Sequence, residues 1–176
     1  MKNAKTNYKW IMMIVILTFI ISILFTFISE TAIPNVNIPV GIILTIVFIL
    51  IGVIFDMIGV ACSTADEAVF HSMASKKIKS ARVAVKLKKN AEKVSSFCND
   101  VIGDICGIIS GSTGAVISLK ITAATNYNGL LVTLIVMGII STLTIGGKAL
   151  EKGIAMSKGN EILLFASKIL SIFIKE

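Results

Sequence analysis

Ser63, Asp66 and Glu67 stand three and four residues apart, and Asp100 and Asp104 repeat the four-residue step. On helices these spacings bring side-chain oxygens onto one face. A carboxylate from each of two helices makes a small negative pocket, and hard cations such as magnesium select oxygen ligands of this kind. The same residues have plainer uses, because Ser and Asp at a helix start cap backbone N–H groups and Glu67 has lysines nearby to pair with. Their position sets them apart: they lie where apolar runs meet a basic stretch. An acid at the end of a membrane span costs free energy unless a cation, a proton or a basic partner compensates it.

The elements that must position these acids are apolar. The chain has 176 residues, 55% of them hydrophobic, and a mean hydropathy of +0.91, far above a soluble domain of this length. Residues 11–28 form an uncharged run behind Lys2, Lys5 and Lys9. Its length and the lack of a small-x-small cleavage site favour a retained span over a signal peptide. Residues 29–39, with Glu30, Pro34 and Pro39, read as a short external loop, and residues 40–61 as a second span interrupted by Asp56. Asp56 is either a pathway residue or, more simply, an acid facing a polar partner inside the bundle. Residues 75–93 hold eight Lys or Arg against the single acid Glu92, and read as a helix lying on the membrane surface. The positive-inside rule puts this stretch in the cytoplasm; the same charge suits anionic lipid head groups.

Residues 96–119 form a third span with Gly103, Gly107 and Gly111 on one face, a close-packing stripe. An external loop over 120–128 and a fourth span over 129–145 follow, and Lys148 and Lys152 return the chain to the cytoplasm. Residues 159–174 repeat apolar side chains at helical spacing and lie along the inner surface or insert as a fifth segment. The expectation is an all-α, polytopic membrane protein with about four transmembrane helices, basic juxtamembrane helices and both termini in the cytoplasm of a cell membrane.

Other chemistries are excluded by pattern. The net charge of +7 is concentrated at the ends of apolar runs without interleaved aromatic residues, unlike a nucleic-acid surface. Cys62, Cys98 and Cys106 lack metal-type spacing and are expected as free thiols. His71 has no second ligand at metal spacing. Gly111-Ser112-Thr113-Gly114 lies within an apolar segment and is not followed by the Gly-Lys-Ser/Thr of a phosphate loop. No nucleophile, base and orienting group converge, so no enzyme activity is expected.

From residue 40 onward the order is a span, Ser63-x-x-Asp66-x-Ala68, a basic helix, a span opening on Ile102-Gly103-Asp104, another span, then Gly147-x-x-x-x-Lys152-x-x-Ala155. This resembles the transmembrane domain of the cyclin M and CorB/CorC magnesium transporters over most of residues 40–155. The extra helix and loop of residues 1–39 lie outside it, residues 40–158 form the CorB/CorC-like domain, and residues 159–176 the amphipathic helix. The resemblance implies magnesium transport by a homodimer. Ser63 stands at the family serine, Asp66 at its acid, and Asp104 in place of an asparagine that supplies oxygen to the ion. The family's third motif, Gly-Glu-x-x-Pro-Lys, becomes Gly147-Lys148-Ala149-Leu150-Glu151-Lys152.

Two outcomes follow from that change. Lys148 replaces the cation beside Asp66 and Asp104, leaving a non-transporting scaffold or regulatory partner. Alternatively, Glu151, one turn on, supplies the missing carboxylate and completes a metal set of Ser63, Asp66, Asp104 and Glu151. The nucleotide-binding CBS domains that follow the family's transport module have no place before Glu176. The expectation is transport either without that nucleotide control or with a separate regulatory partner.

Overall fold

The computed structural model describes residues 8–32 and 35–173. Lys2, Lys5, Pro34 and Ile174, and the side chain of Glu30, lie outside the described residues. Four helices are long and apolar enough to cross a membrane, as expected: α1 (Tyr8–Ala32), α2 (Ile38–Thr64), the combined stretch Ala91–Thr125, and α7 (Gly129–Ser157). Between α2 and the third span lie α3 (Glu67–Ser75) and α4 (Lys79–Lys89); α8 (Gly159–Phe173) follows α7. The chain is an all-helical membrane protein.

The third span is composite. It starts as α5 (Ala91–Ser96), continues through a π-helical segment (Phe97–Gly103) and becomes α6 (Asp104–Thr125). A π segment widens the helix and releases the regular hydrogen-bond ladder, and such bulges gather at functional sites. The expected loop over 120–128 shrinks to residues 126–128 because α6 runs further than its hydropathy suggested. Thr122 and Thr125 return their hydroxyls to the carbonyls of Ser118 and Ile121, so these polar positions remain compatible with helix. Lys120 donates to the Val36 carbonyl beside the start of α2. Asn126 closes α6 in the left-handed conformation at φ 56°, and the Asn128 side chain caps α7 by accepting from Leu130 N–H at 3.0 Å.

Helix α2 packs along both α6 and α7, and α6 along α7; α1 lies outside this trio, touching the π segment and α6 through Ile14 and Ile21. Glycine allows close approach at two levels of α2. A β-carbon at Gly59 would overlap the Asn99 amide, and one at Gly52 would sit 3.1 Å from Cys106 Cβ. The expected glycine stripe is only partly used, since Gly103 packs near Lys148 whereas nothing lies within 4 Å of a β-carbon built at Gly107 or Gly111.

At the basic end of the bundle the chain builds a second, smaller core. Phe70 of α3, Ala84 and Val85 of α4 and Leu163 of α8 close around Cys62 at the end of α2. This revises the surface-helix expectation for residues 75–93. The helix breaks at Asn90 into α4 and α5, and the apolar face of α4 is buried on α3 and α8 instead of facing lipid. The reason is α8, which turns Leu163, Ala166 and Ser167 towards protein while Phe165, Ile169 and Ile172 remain exposed. Lys88 Nζ donates to the Cys62 and Ser63 carbonyls at 3.2 and 2.7 Å. A cation thus meets the negative end of the α2 dipole.

Candidate polar site inside the bundle

The four residues expected to bind metal are held in different surroundings. Asp66 caps α3, accepting from Ala68 N–H at 2.9 Å, while its own N–H donates to Asn160 Oδ1 at 2.7 Å. It lines a polar groove with Ser157, Asn160 and Glu161. Asp104 faces Lys148 Nζ at 3.6 Å, with its side chain 67% exposed. Ser63 returns its hydroxyl to the Gly59 carbonyl at 3.3 Å. Glu151 is buried, with 3% exposure, and its partner is Asp56. Among the described residues no group of three or more His, Cys, Asp and Glu is arranged to hold a metal ion. Glu67 and His71 meet at 3.1 Å on the surface of α3, and the three cysteines are free thiols, as expected.

The structure brings Asp56 and Glu151 together. Asp56 of α2 is 5% exposed, and the Glu151 carboxyl from α7 lies within its hydrogen-bonding reach. Neither oxygen of Glu151 meets a protein donor, as expected where one carboxylate faces another. Lys148 and Lys152 are close enough to act on Glu151 electrostatically, but Lys148 is turned to Asp104 and Lys152 is exposed. Among the described residues, neither of these two buried acids makes an ion pair with a lysine or arginine, an arrangement that is costly inside a membrane bundle.

The π segment presents polar groups just below this pair. Asn99 presses its amide on α2 at Gly59, one turn from Asp56, and its Oδ1 is buried without a donor. Towards the basic end, Asn99 also lines an open concavity of about 540 Å³ with Ser63, Glu92, Ser96 and Asp100. Ser96 donates to Asp100 there. On the far side of the pair, one turn back along α7, stands the Lys148–Asp104 ion pair. Along the bundle the order is a polar mouth, the Asn99 amide, the buried carboxyl pair and an ion pair beyond it.

Sequence reasoning missed Asn99 and Glu92 as lining residues and left Asp56 between a pathway role and an acid facing a polar partner, the second being the simpler. A signal for Asp56 existed: an isolated acid in an otherwise apolar span is a functional candidate by default. Glu151 was named as a carboxylate to join Asp66 and Asp104, but nothing local in the sequence marked Asp56 as its partner. Comparison of the chain with family models, curated proteins and solved structures returns no match in any of the three.

Proposed function

We propose that this chain transports a divalent cation, magnesium by the hardness of its oxygen donors, through the carboxyl pair of Asp56 and Glu151. One observation carries the reading: Glu151 is held at 3% exposure inside a bundle of spans, both oxygens lack a protein donor, and another acid faces it. A chain that needed only stability would place an apolar pair there, since unpaired buried charge is strongly destabilising. The acidic mouth of Glu92 and Asp100 concentrates cations beside Asn99. The motif resemblance to the CorB/CorC transporters points to the same cargo, with Asp56 taking the place expected for Asp66. The basic end then lies in the cytoplasm, where its lysines meet anionic head groups.

The test is magnesium uptake into liposomes containing the purified protein and an entrapped magnesium indicator. Wild type admits magnesium, whereas Asp56→Asn and Glu151→Gln reduce uptake about tenfold or more, as expected when one of two hard ligands loses its charge. Wild-type uptake no faster than through empty liposomes overturns the reading.

The Lys148–Asp104 contact favours a second reading, a non-transporting scaffold in which the lysine stands where a cation would be. It predicts magnesium binding only after Lys148→Glu, measured by calorimetry on the detergent-solubilised protein. The transport reading predicts binding in wild type.

A further inference from the structure

We propose that the groove beside Trp10 and Lys93 binds one anionic two-chain phospholipid, with its phosphate on Lys93 and its acyl chains against α2 and α8. This goes beyond the general attraction of the basic end for anionic head groups and does not depend on the cation-transport reading. The groove measures about 600 Å³, within the roughly 300–1,000 Å³ of ligand sites. Its walls come from α1, α2, α4, the start of the third span and α8, and every lining side chain is apolar except Lys93. Lys93 Nζ stands 5.0 Å from the centroid of the Trp10 ring, a cation–π contact that holds the ammonium at the groove. Since α1 and α2 are spans whereas α4 and α8 belong to the core at the basic end, the groove lies where the bilayer meets water. Tryptophan and lysine are the side chains that settle at that level.

The chemistry of the groove selects its occupant. An apolar concavity at the edge of the bilayer exposes its walls to water unless a hydrocarbon chain covers them. No carboxylate lines this groove, and the neighbouring Glu92 lines the polar mouth instead, so a phosphate at Lys93 meets a cation without an opposing acid. A second groove of about 580 Å³ shares Ile54, Ile58, Ala166 and Ile169 with the first, and offers a place for a second chain. Glu161 lines that second groove and repels an anion, which leaves the head group one position, at Lys93. Two adjoining apolar grooves and one cation match a lipid with two tails and one phosphate. Phe97 and Cys98 of the π segment also line the first groove, so a lipid seated there ties α1 to that segment. A ligand held by this tertiary arrangement alone stabilises the folded chain.

The experiment is native mass spectrometry of the full chain in detergent, with phosphatidylglycerol or phosphatidylcholine of the same acyl chains added. One phosphatidylglycerol per chain is expected to bind about fivefold more tightly than phosphatidylcholine, the contribution of one lysine beside an anionic head group. Lys93→Gln is expected to abolish that preference and Lys93→Arg to keep it. Lys89→Gln, at an exposed lysine outside the groove, is expected to leave it unchanged. Ile169→Trp fills the wall common to both grooves and is expected to weaken both lipids several-fold. The Lys93 variants alter an exposed position and decide the matter if Ile169→Trp does not fold. Equal binding of the two lipids by wild type overturns the proposal. So does a loss of preference in Lys89→Gln as large as in Lys93→Gln, which would spread the attraction over the whole basic surface. Lysophosphatidylglycerol bound as tightly as the two-chain lipid overturns the two-chain site. Wild-type dimers that Ile169→Trp converts to monomers, with lipid binding unchanged, would assign the groove to a second copy and overturn the lipid site.

Discussion

At the basic end of the molecule, Phe70 and Leu163 are fully buried among Cys62, Ala84 and Val85, and lysines cover the outside. Inside the bundle polar side chains share the interior with apolar ones such as Ile49, Val101, Ile105 and Ile109. Thr45, Asp56, Ser110, Thr113, Ser118 and Glu151 are buried, while Ile43, Leu50, Leu134 and Ile139 face outward. Each arrangement follows from its solvent. Water drives apolar side chains together at roughly 25 cal/mol per Å² of buried area. Lipid is as apolar as leucine and supplies no such force, so spans associate through close packing at small residues and through polar contacts. The bundle can therefore hold acids at its centre. Most of its buried hydroxyls are satisfied locally, Thr45, Ser110 and Thr113 donating one turn back to Gly41, Cys106 and Ile109. Glu151 has no such local partner.

Mutations at the two cores should behave differently. Phe70→Ala has the largest expected cost, about 3–5 kcal/mol for a fully buried aromatic side chain. It should free α3, α4 and α8 while sparing the spans, seen as faster trypsin cleavage at the α4 lysines with unchanged helical circular dichroism from the bundle. Loss of the whole bundle would show that the two cores are one cooperative unit. Gly59→Ala comes next, at about 1–3 kcal/mol for overpacking against the Asn99 amide. It should lower the thermal midpoint and slow magnesium uptake together, because it displaces the π segment; a shift in stability alone would separate that segment from the site.

Asp66→Ala should cost about 1 kcal/mol, the worth of an N-cap, and leave magnesium uptake at the wild-type rate. A large loss of uptake would return Asp66 to the ion path. Gly107→Ala should have the smallest effect, a gain of about 0.5–1 kcal/mol from helix propensity, since a β-carbon there meets nothing within 4 Å. A destabilisation measured by thermal unfolding would instead mark this face of α6 as covered by a second copy.

Much of the fold was legible because lipid imposes a length and a polarity on each span. The runs at residues 11–28, 40–61 and 129–145 all lie within observed helices. Boundaries were less legible where polar residues satisfy themselves inside a helix, as Thr122 and Thr125 do in lengthening α6. The amphipathic pattern of α4 was visible, but its partner was not: an apolar face fits α8 or a membrane surface equally well by composition. The candidate site was legible in parts. Glu151 was named for its oxygen, and the Lys148–Asp104 contact followed from the motif order. Asp66, whose spacing suited a ligand or a cap equally, is used as a cap.

By itself the sequence determined four apolar segments, the basic stretch between the second and third, and the presence of acids at their ends, because these depend on local composition and period. Only the tertiary structure decided which acids meet. Asp56 and Glu151 are far apart in the chain, and their contact depends on the rotation of α2 and α7 about their axes. That rotation is set by packing at Gly52, Gly59 and Gly147, where the absence of a side chain lets neighbouring groups approach closely.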